Sequence, residues 1–307
     1  MPGHPHVVFK DLSYRYPNAK RYSLKHIDAA IHRGEFVCVL GENGAGKSTL
    51  CQTINGVIPH SRGGRLRGNV IVDGTDTTET TVAQLSRKVG IVLEDPESQL
   101  FTTSVLGEVA FGPENLQIAP CEILRRAHQA LEVVGLSKYE GFPPSALSGG
   151  QKQRLAIGAA LAMHPDILVL DEATSQLDPV GTQEIFALAR DLNEQRGMTI
   201  LMATNKGDEV AEFCDRVLVL HQGELIAQGS VRDVFADAAL LERVKKPLDR
   251  LAGKDNAMPA ALQTFGEVHR YPLRAGVARG RDDRQYGQGP LCPVCVLLSR
   301  HHLHLTQ

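Results

Sequence analysis

The sequence predicts an α/β fold in which helices cover both faces of a mainly parallel sheet. Short, continuous apolar runs alternate with segments of helical periodicity, a pattern typical of buried parallel strands and their connecting helices. A glycine-rich loop joins one of these runs to a helical segment. The N-terminal segments alternate differently, and this difference adds a small antiparallel accessory sheet to the predicted core.

The predicted elements follow in chain order. Antiparallel strands are indicated at 7–9, 24–31 and 69–74, where they end at Gly, Asn or Pro turns. Parallel strands are indicated at 36–40, 89–93, 167–170, 199–203 and 217–220. A helix begins at Gly46, because the apolar residues after it have helical spacing. These residues are Leu50, Ile54, Val57 and Ile58.

Between about 96 and 162 the pattern is helical, which predicts a helical insertion between two of the parallel strands. Gly112-Pro113 and the segment 141–144 are expected to interrupt its helices, because Pro and Gly are poor residues inside a helix. After about residue 250, Gly, Arg, Asp, Gln and Pro accumulate without a sustained apolar period. This composition is typical of a mobile tail.

Composition argues against several functions. The 307 residues are 42% hydrophobic, and 33 Lys and Arg face 35 Asp and Glu, so nucleic acid is not expected as a partner. No apolar run approaches the roughly 18 residues that span a bilayer. The N-terminus lacks a basic segment followed by an apolar one, which predicts a cytosolic chain.

Four cysteines stand singly and are expected to be reduced, packed thiols. They are Cys38, Cys51, Cys121 and Cys214.

The segment from Gly41 to Thr49 matches the pattern G-x-x-x-x-G-K-[ST] of a phosphate-binding loop. Its glycines allow successive backbone N–H groups to turn towards one anion at the positive end of the following helix. Lys47 is expected to reach the β- and γ-phosphates, and the Ser48 hydroxyl to bind Mg²⁺. The predicted nucleotide-binding residues are Gly41, Glu42, Asn43, Gly44, Ala45, Gly46, Lys47, Ser48 and Thr49.

Two carboxylates end the apolar run at 167–170, where unpaired buried charge would be costly without a ligand. Asp171 is expected to hold Mg²⁺ through its hydration shell. Glu172, one residue further on, is expected to polarise the attacking water. The pair therefore predicts hydrolysis of the bound nucleotide.

A third motif, Leu147-Ser148-Gly149-Gly150-Gln151, precedes a helical segment. It resembles the signature sequence of ATP-binding-cassette ATPases, and with the other two motifs the resemblance covers approximately residues 7 to 235. In that family the signature of one subunit faces the phosphate loop of another, so that two ATP molecules lie in a head-to-tail dimer. The resemblance therefore implies that four residues bind the ATP of a partner ATPase. They are Ser148, Gly149, Gly150 and Gln151.

Other positions follow the family pattern. Tyr16 corresponds to the aromatic residue that stacks on adenine, with Tyr14 as the rival position and packing in the core as the alternative for either. The segment Ser175-Gln176-Leu177-Asp178 resembles the dimer-interface loop of the family, with Asp178 as the interface contact.

Two positions depart from the family pattern. Glu94 stands where the family usually has a glutamine that links Mg²⁺ or water to the membrane partner. Asn205 stands where the family has a histidine that contacts the γ-phosphate. A carboxylate at position 94 can approach the metal but cannot donate a hydrogen bond. The Asn205 amide can donate a hydrogen bond but cannot be protonated. Both residues are expected to take part in catalysis, in a site that hydrolyses slowly.

The segments 95–102 and 109–115 resemble the ATPases of energy-coupling-factor transporters, which take up cobalt, nickel or vitamins. In those proteins this region docks a coupling helix of the transmembrane subunit. The resemblance implies an apolar docking groove with carboxylates that accept basic residues. The candidate groove residues are Leu100, Phe101, Val105, Val109 and Phe111, and the candidate acceptors are Glu97, Glu108 and Glu114.

The family therefore implies an ATPase subunit, peripheral on the cytoplasmic face of the membrane, that energises a solute importer with ATP and Mg²⁺. Its expected partners are a transmembrane coupling subunit, a substrate-binding membrane subunit and a second ATPase. The alternative is a weakly hydrolysing member of an asymmetric heterodimer, with turnover mainly at the partner's site.

The ATPase domain is assigned to residues 1–235, and a C-terminal extension, helical at first and then disordered, to 236–307. Within this extension, Cys292 and Cys295 together with nearby histidines leave a zinc site as the alternative to a disordered tail.

Overall fold

A computed structural model describes residues 5–236, which form two sheets and the helices around them. The strands are β1 (Pro5–Arg15), β2 (Leu24–His32), β3 (Phe36–Leu40), β4 (Arg65–Val72), β5 (Thr75–Asp76), β6 (Val89–Val92), β7 (Ile167–Asp171), β8 (Thr199–Thr204), β9 (Arg216–His221) and β10 (Glu224–Ser230). The helices are α1 (Lys47–Ile54), α2 (Val57–His60), α3 (Val82–Leu85), α4 (Val105–Asn115), α5 (Pro120–Val133), α6 (Gly149–Leu161), α7 (Pro179–Arg196), α8 (Gly207–Phe213) and α9 (Val231–Ala236).

The larger sheet has the strand order β10-β9-β3-β8-β7-β6. Its five strands from β9 to β6 are parallel, and β10 pairs with β9 in antiparallel orientation. The smaller sheet, β2-β1-β4-β5, is antiparallel. The predicted α/β fold with an antiparallel accessory sheet is therefore confirmed.

Side-chain alternation along the central strands divides the core into two clusters, one on each face of the sheet. Phe36, Cys38 and Leu40 of β3 pack with the helices from α4 to α9. Val37 and Val39 of the same strand pack with α1 and with the inner face of the antiparallel sheet. Because both faces of the sheet are covered, its strands appear in the sequence as continuous apolar runs.

The helix after the glycine-rich loop is shorter than its apolar spacing predicts. It ends at Ile54, and Gly56 adopts a left-handed conformation with φ 76° before α2 begins at Val57. This φ favours glycine, and a Cβ at position 56 would also lie 2.6 Å from Leu85 Cδ1 and force that side chain to shift. Val57 and Ile58 therefore lie beyond the end of α1 and do not extend it.

Between β6 and β7 the chain forms a 3-10 turn at Pro96–Ser98, the helices α4, α5 and α6, and two further short turns. The predicted break at Gly112-Pro113 is wrong, because Pro113 lies inside α4. A proline removes one backbone donor, but Leu116 N still donates to Gly112 O at 3.2 Å and continues the helix past it. The predicted interruption at 141–144 does lie outside the helices.

The cysteines differ from the prediction of four reduced, packed thiols. Cys38 in β3 and Cys214 after α8 form a disulfide, with their Cα atoms 6.3 Å apart. Pairing of β9 with β3 brings them together, since Cys38 lies opposite Val217 in that register. Cys51 is a buried free thiol, and Cys121 is exposed instead of packed.

No helix within residues 5–236 is both long and apolar enough to cross a bilayer. The predicted extension with Cys292 and Cys295 lies outside the described residues, except for its first position.

Candidate functional site

The glycine-rich loop lies between the C-terminal end of β3 and the first turn of α1. Gly44 and Gly46 have φ values of 82° and 108°, in the left-handed region that favours glycine. A Cβ at Gly46 would lie 2.7 Å from Ser23 O, and one at Gly41 would lie 2.5 Å from Leu220 O. The backbone conformation therefore favours glycine at position 44, close packing requires it at position 41, and both apply at position 46.

Lys47 fills the centre of this loop and is almost completely buried. Its ammonium donates to Gly41 O at 2.8 Å and to Glu42 O at 3.0 Å. It also forms an ion pair with Glu172, at 2.9 Å between Nζ and Oε1. These three contacts match the three donors of an ammonium group, so a phosphate bound by Lys47 competes with Glu172 for it.

Asp171 is buried at the end of β7, and its Oδ1 has no hydrogen-bond partner. Burial raises the pKa of this carboxyl to about 6, a hydrogen bond from Ser48 opposes the rise, and the charges of Glu172 and Glu94 add to it. An unsatisfied carboxylate oxygen beside a hydroxyl is a donor set that a hard divalent cation prefers. The residues present therefore fit Mg²⁺.

Glu172 has a strained backbone, with φ 51°, which is uncommon for a residue with a side chain. Its backbone N donates to Ala203 O of β8 at 3.0 Å, and its carboxylate reaches Lys47. Both contacts hold Glu172 at the edge where β3, β7 and β8 end. Strained conformations of this kind persist only where the surroundings fix them, and they concentrate at functional sites.

Glu94 and Asn205 follow β6 and β8 at the same edge of the sheet, and both are exposed. The backbone before Glu94 is held by two glutamine side chains. Leu93 N donates to Gln99 Oε1 at 2.8 Å, and Gln153 Nε2 donates to Leu93 O at 3.4 Å. Sequence reasoning missed both glutamines, because Gln153 lies 60 residues from its acceptor and neither belongs to a motif that binds phosphate.

The two tyrosines are in different environments. Tyr14 is fully buried, and its hydroxyl donates to Gly63 O at 2.7 Å. Tyr16 is half-buried, and its hydroxyl lies 3.1 Å from Thr49 Oγ1 of the phosphate loop. The rings meet edge to face, with their centroids 4.9 Å apart. Of the two, Tyr16 therefore has the ring that a nucleotide at the phosphate loop can reach.

The signature motif begins α6 and is not brought to the phosphate loop of the same chain by any hydrogen bond within residues 5–236. Gln151 N donates to Ser148 Oγ at 3.3 Å, and Ser148 N donates to Gln151 Oε1 at 2.9 Å. This reciprocal cap leaves Ser148 and Gly149 exposed and Gly150 half-buried. Asp178 likewise caps α7, because its Oδ1 accepts from Gly181 N at 2.8 Å.

An apolar groove of about 390 Å³ lies between the helical segment and the central sheet. Phe101 and Phe111 line it with 65% and 42% of their surfaces exposed, and their ring centroids are 4.7 Å apart. The groove is lined by residues that include Val89, Ile91, Leu100, Phe101, Phe111 and Met163. We call these six residues the docking groove.

Of the predicted groove residues, Val105 and Val109 do not line this groove, whereas the predicted acceptor Glu108 lines it but has its carboxylate occupied within the chain. Val105 and Val109 are fully buried in the core, because they lie on the inner side of α4. Glu108 is also buried, and its carboxylate accepts from the backbone N of Phe101 and Thr102. These three side chains therefore shape the region from within instead of offering contacts to a partner. Of the two other carboxylates, Glu97 pairs with Lys152 and Glu114 is exposed.

Comparisons with known proteins identify the family of this chain. A family model described as ABC transporter matches residues 24–175. An ABC transporter ATP-binding protein of Pyrococcus horikoshii is 48% identical over 239 residues, which cover 78% of this chain and 84% of the relative. The corresponding protein of Pyrococcus abyssi is 47% identical, with 78% of this chain and 85% of the relative covered.

Solved structures show the same fold. The cbiO1 protein of Clostridium perfringens, described as part of the ABC transporter complex cbiONQ, is 36% identical with a TM-score of 0.69. The match covers 80% of this chain and 97% of cbiO1. A dimeric ATP-binding cassette, MJ0796, bound to ADP and phosphate after hydrolysis, is 28% identical with a TM-score of 0.64, over 74% of this chain and 99% of that one. This chain is an ATP-binding and ATP-hydrolysing subunit of the ABC transporter family.

Proposed function

We propose that this ATPase energises a membrane importer of the energy-coupling-factor type that takes up a metal ion or a vitamin. The observation that carries the proposal is the docking groove with its two exposed phenylalanines, in the segment that resembles energy-coupling-factor ATPases. The likeness to cbiO1, part of the complex cbiONQ, supports the same subtype. The chain then lies peripherally on the cytoplasmic face of the membrane.

We assign the hydrolysis site to the edge where the central strands end. Lys47 and the N–H groups of the loop 41–49 bind the phosphates, and Tyr16 stacks on the adenine. Ser48 and Asp171 would hold Mg²⁺, with Glu94 close enough for its charge to act on Asp171. A bound Mg²⁺ would supply positive charge to neutralise the phosphate oxygens.

Glu172 acts as the general base in this proposal. ATP takes over the Lys47 ammonium, which releases the Glu172 carboxylate from its ion pair. The freed carboxylate then accepts the proton of the attacking water. Asn205 donates its amide to the γ-phosphate from the end of β8, and it orients the phosphate without exchanging a proton.

A second ATPase completes each ATP-binding site in this proposal. Ser148 and Gly149 are exposed at the N-terminus of a 13-residue helix, where backbone N–H groups and the helix dipole favour an anion. Gly150 and Gln151 complete this surface, which we assign to the γ-phosphate of ATP held by the partner ATPase. The dimeric cassette MJ0796 supports a paired arrangement.

The occupant of the docking groove is a coupling helix of the transmembrane subunit. An apolar groove with two exposed aromatic anchors fits the apolar face of an amphipathic helix. Exposed Glu114 lies on the same helix as Phe111 and can accept a basic residue of that partner.

The assembly is tested by affinity purification of the chain from detergent-solubilised native membranes, with mass identification of stoichiometric companions. We expect an integral membrane subunit, a substrate-binding membrane subunit and a second ATPase. Phe101→Ser should lose the membrane subunits, whereas Phe142→Ser, which also alters a half-exposed ring, should keep them. Recovery of the unaltered chain without membrane companions would exclude the importer, and equal recovery with both variants would exclude the groove.

A second candidate function is a weakly hydrolysing subunit in an asymmetric pair, with turnover mainly at the partner's site. Glu94 and Asn205 favour it, because both replace the usual residues of one composite site. Asn205→His should then raise turnover of the assembled complex, and Glu172→Gln should remove the contribution of this chain's own loop. If Asn205→His left turnover unchanged while Glu172→Gln abolished it, Asn205 would not limit this site.

A further inference from the structure

Lys206 lies in the loop after β8, next to Asn205, and its ammonium joins two other segments. Nζ donates to Thr174 O at 2.7 Å and to Thr182 Oγ1 at 2.5 Å. Thr174 follows Glu172 by two residues, and Thr182 lies in the first turn of α7. One side chain therefore connects the loop that carries Asn205, the loop that carries Glu172, and the helix that follows.

The surroundings of this ammonium are unfavourable for a cation. Thr174 and Thr182 are both buried, and the atoms that accept from Lys206 are neutral oxygens. Burial lowers the pKa of Lys206, and the charges of Glu209 and Asp178 oppose that shift only in part. A half-buried lysine of this kind contributes little as a surface charge. Its main effect is therefore the pair of hydrogen bonds that joins the two segments.

The loop after β7 is held at both of its ends. At the start, Glu172 N donates to Ala203 O at 3.0 Å. At the end, Asp178 caps α7, and Thr182 N donates to Asp178 O at 2.9 Å. Lys206 spans the two ends, and its own backbone N is fixed by Thr204 Oγ1 at 3.0 Å. Without this ammonium, the loop that carries Glu172 would lose its contact at Thr174 O.

We propose that Lys206 is a positioning residue for ATP hydrolysis, whose ammonium clamps the loop after β7 to α7 and fixes Glu172 relative to Asn205. The clamp acts through Thr174 and Thr182 and makes no contact with the phosphate loop. It therefore governs the rate of the chemical step and leaves nucleotide binding to Lys47 and its loop.

The test is steady-state ATP hydrolysis by the full-length chain in the assembly in which it is purified. Lys206→Met keeps the side-chain length and removes the donors, and we expect kcat to fall by about tenfold to a hundredfold because the base is misplaced. The KM for ATP should change by less than about threefold. Lys206→Arg keeps donors and charge and should restore most of kcat. Lys138→Met, at an exposed lysine in the turn Ser137–Tyr139, is the matched control and should have no effect.

Thr182 gives an independent arm of the same test. Thr182→Val removes the hydroxyl at nearly constant volume and should lower kcat by about tenfold, whereas Thr182→Ser should retain it. The double variant Lys206→Met with Thr182→Val should be no slower than Lys206→Met alone, because Lys206→Met already breaks the contact that Thr182→Val removes.

Three results would overturn the proposal: an unchanged kcat in Lys206→Met, a raised KM at constant kcat, or a double variant slowed by the product of the single effects. Thermal unfolding checks that each variant folds. If Lys206→Met does not fold, the comparison of Thr182→Val with Thr182→Ser decides, and equal rates for these two would overturn the proposal.

Discussion

Replacing Glu172 by Gln is expected to strengthen ATP binding and, at the same time, to remove most hydrolysis. Gln keeps the shape of the side chain but lacks its negative charge. Glu172 Oε1 lies 2.9 Å from Lys47 Nζ, and the two side chains are only 13% and 2% exposed. Because the phosphates of ATP need the same ammonium, binding must first displace the carboxylate.

The size of each effect follows from this geometry. Two unit charges 2.9 Å apart attract by roughly 6 kcal/mol at an effective dielectric constant near 20. Desolvation offsets most of this, and a charge-assisted hydrogen bond contributes about 1.5–3 kcal/mol net. A neutral Gln that still accepts a hydrogen bond from Lys47 keeps about half of this net contribution. ATP then has less binding energy to displace, so its Kd should fall roughly tenfold, which corresponds to about 1.4 kcal/mol. Loss of the general base should slow hydrolysis by about 10²- to 10⁴-fold.

Equilibrium binding of ATP with Mg²⁺, extrapolated to low protein concentration, separates this effect from dimerisation. Single-turnover hydrolysis measures the rate in parallel. Glu194→Gln is the matched control, because it removes a glutamate from an ion pair with Arg190 at 2.8 Å on the exposed side of α7. The control should change neither quantity. Unchanged ATP affinity in Glu172→Gln would refute the competition for Lys47, and a rate within tenfold of the unaltered chain would refute the role of general base.

Three further predictions concern other parts of the chain. Gly46→Ala should lower the free energy of unfolding by about 2 kcal/mol or more and abolish nucleotide binding, because the new Cβ would lie 2.7 Å from Ser23 O. The control Gly74→Ala has a left-handed φ of 77° but open space around the new Cβ, so in thermal unfolding it should cost only about 1 kcal/mol. Tyr16→Ala should weaken ATP binding roughly tenfold through lost stacking, whereas Tyr16→Phe should bind nearly normally; equal loss would assign the effect to the hydroxyl contact. Burial lowers the pKa of His6 below its value in the unfolded chain, so the free energy of unfolding should fall as pH drops below about 6.5, by at most about 1.4 kcal/mol per pH unit. In denaturant unfolding, His6→Asn should make this dependence on pH weaker. An unchanged dependence on pH would contradict the prediction. The charged groups that act on His6 are Arg33, Asp73, Asp166 and Lys88.

The strands of the central sheet could be predicted because local sequence contains their cause. Residues 36–40 are apolar on both faces, and the structure covers both faces. The edge strand β10 could not be predicted in this way, because its residues are exposed or half-buried and its pairing depends on β9. The end of α1 was mispredicted for a similar reason, since the close approach of Leu85 to Gly56 joins segments far apart in the sequence.

In the candidate site, too, the features that local sequence determines could be predicted, and the contacts between distant segments could not. The phosphate loop, the Asp171-Glu172 pair and the signature are continuous motifs, so the residues themselves indicate their chemistry. The contacts that hold them are not local. Lys206 meets Thr174 over a separation of 32 residues, and no pattern around Lys206 indicates that partner. Sequence reasoning therefore finds the groups that bind phosphate more readily than those that fix their positions.

The charges at the site give a physical reason for the two ATP sites of an assembled pair to differ. Burial raises the pKa of Asp171 to about 6, and the negative charges of Glu172 and Glu94 add to this rise beside the buried ammonium of Lys47. A glutamine at position 94, as the family usually has, would remove one of these negative charges. The Ser148 cap at the N-terminus of α6 carries no carboxylate of this cluster. In the proposed pair, we therefore expect the ATP at this chain's own loop to depend more strongly on Mg²⁺ than the ATP that faces its signature.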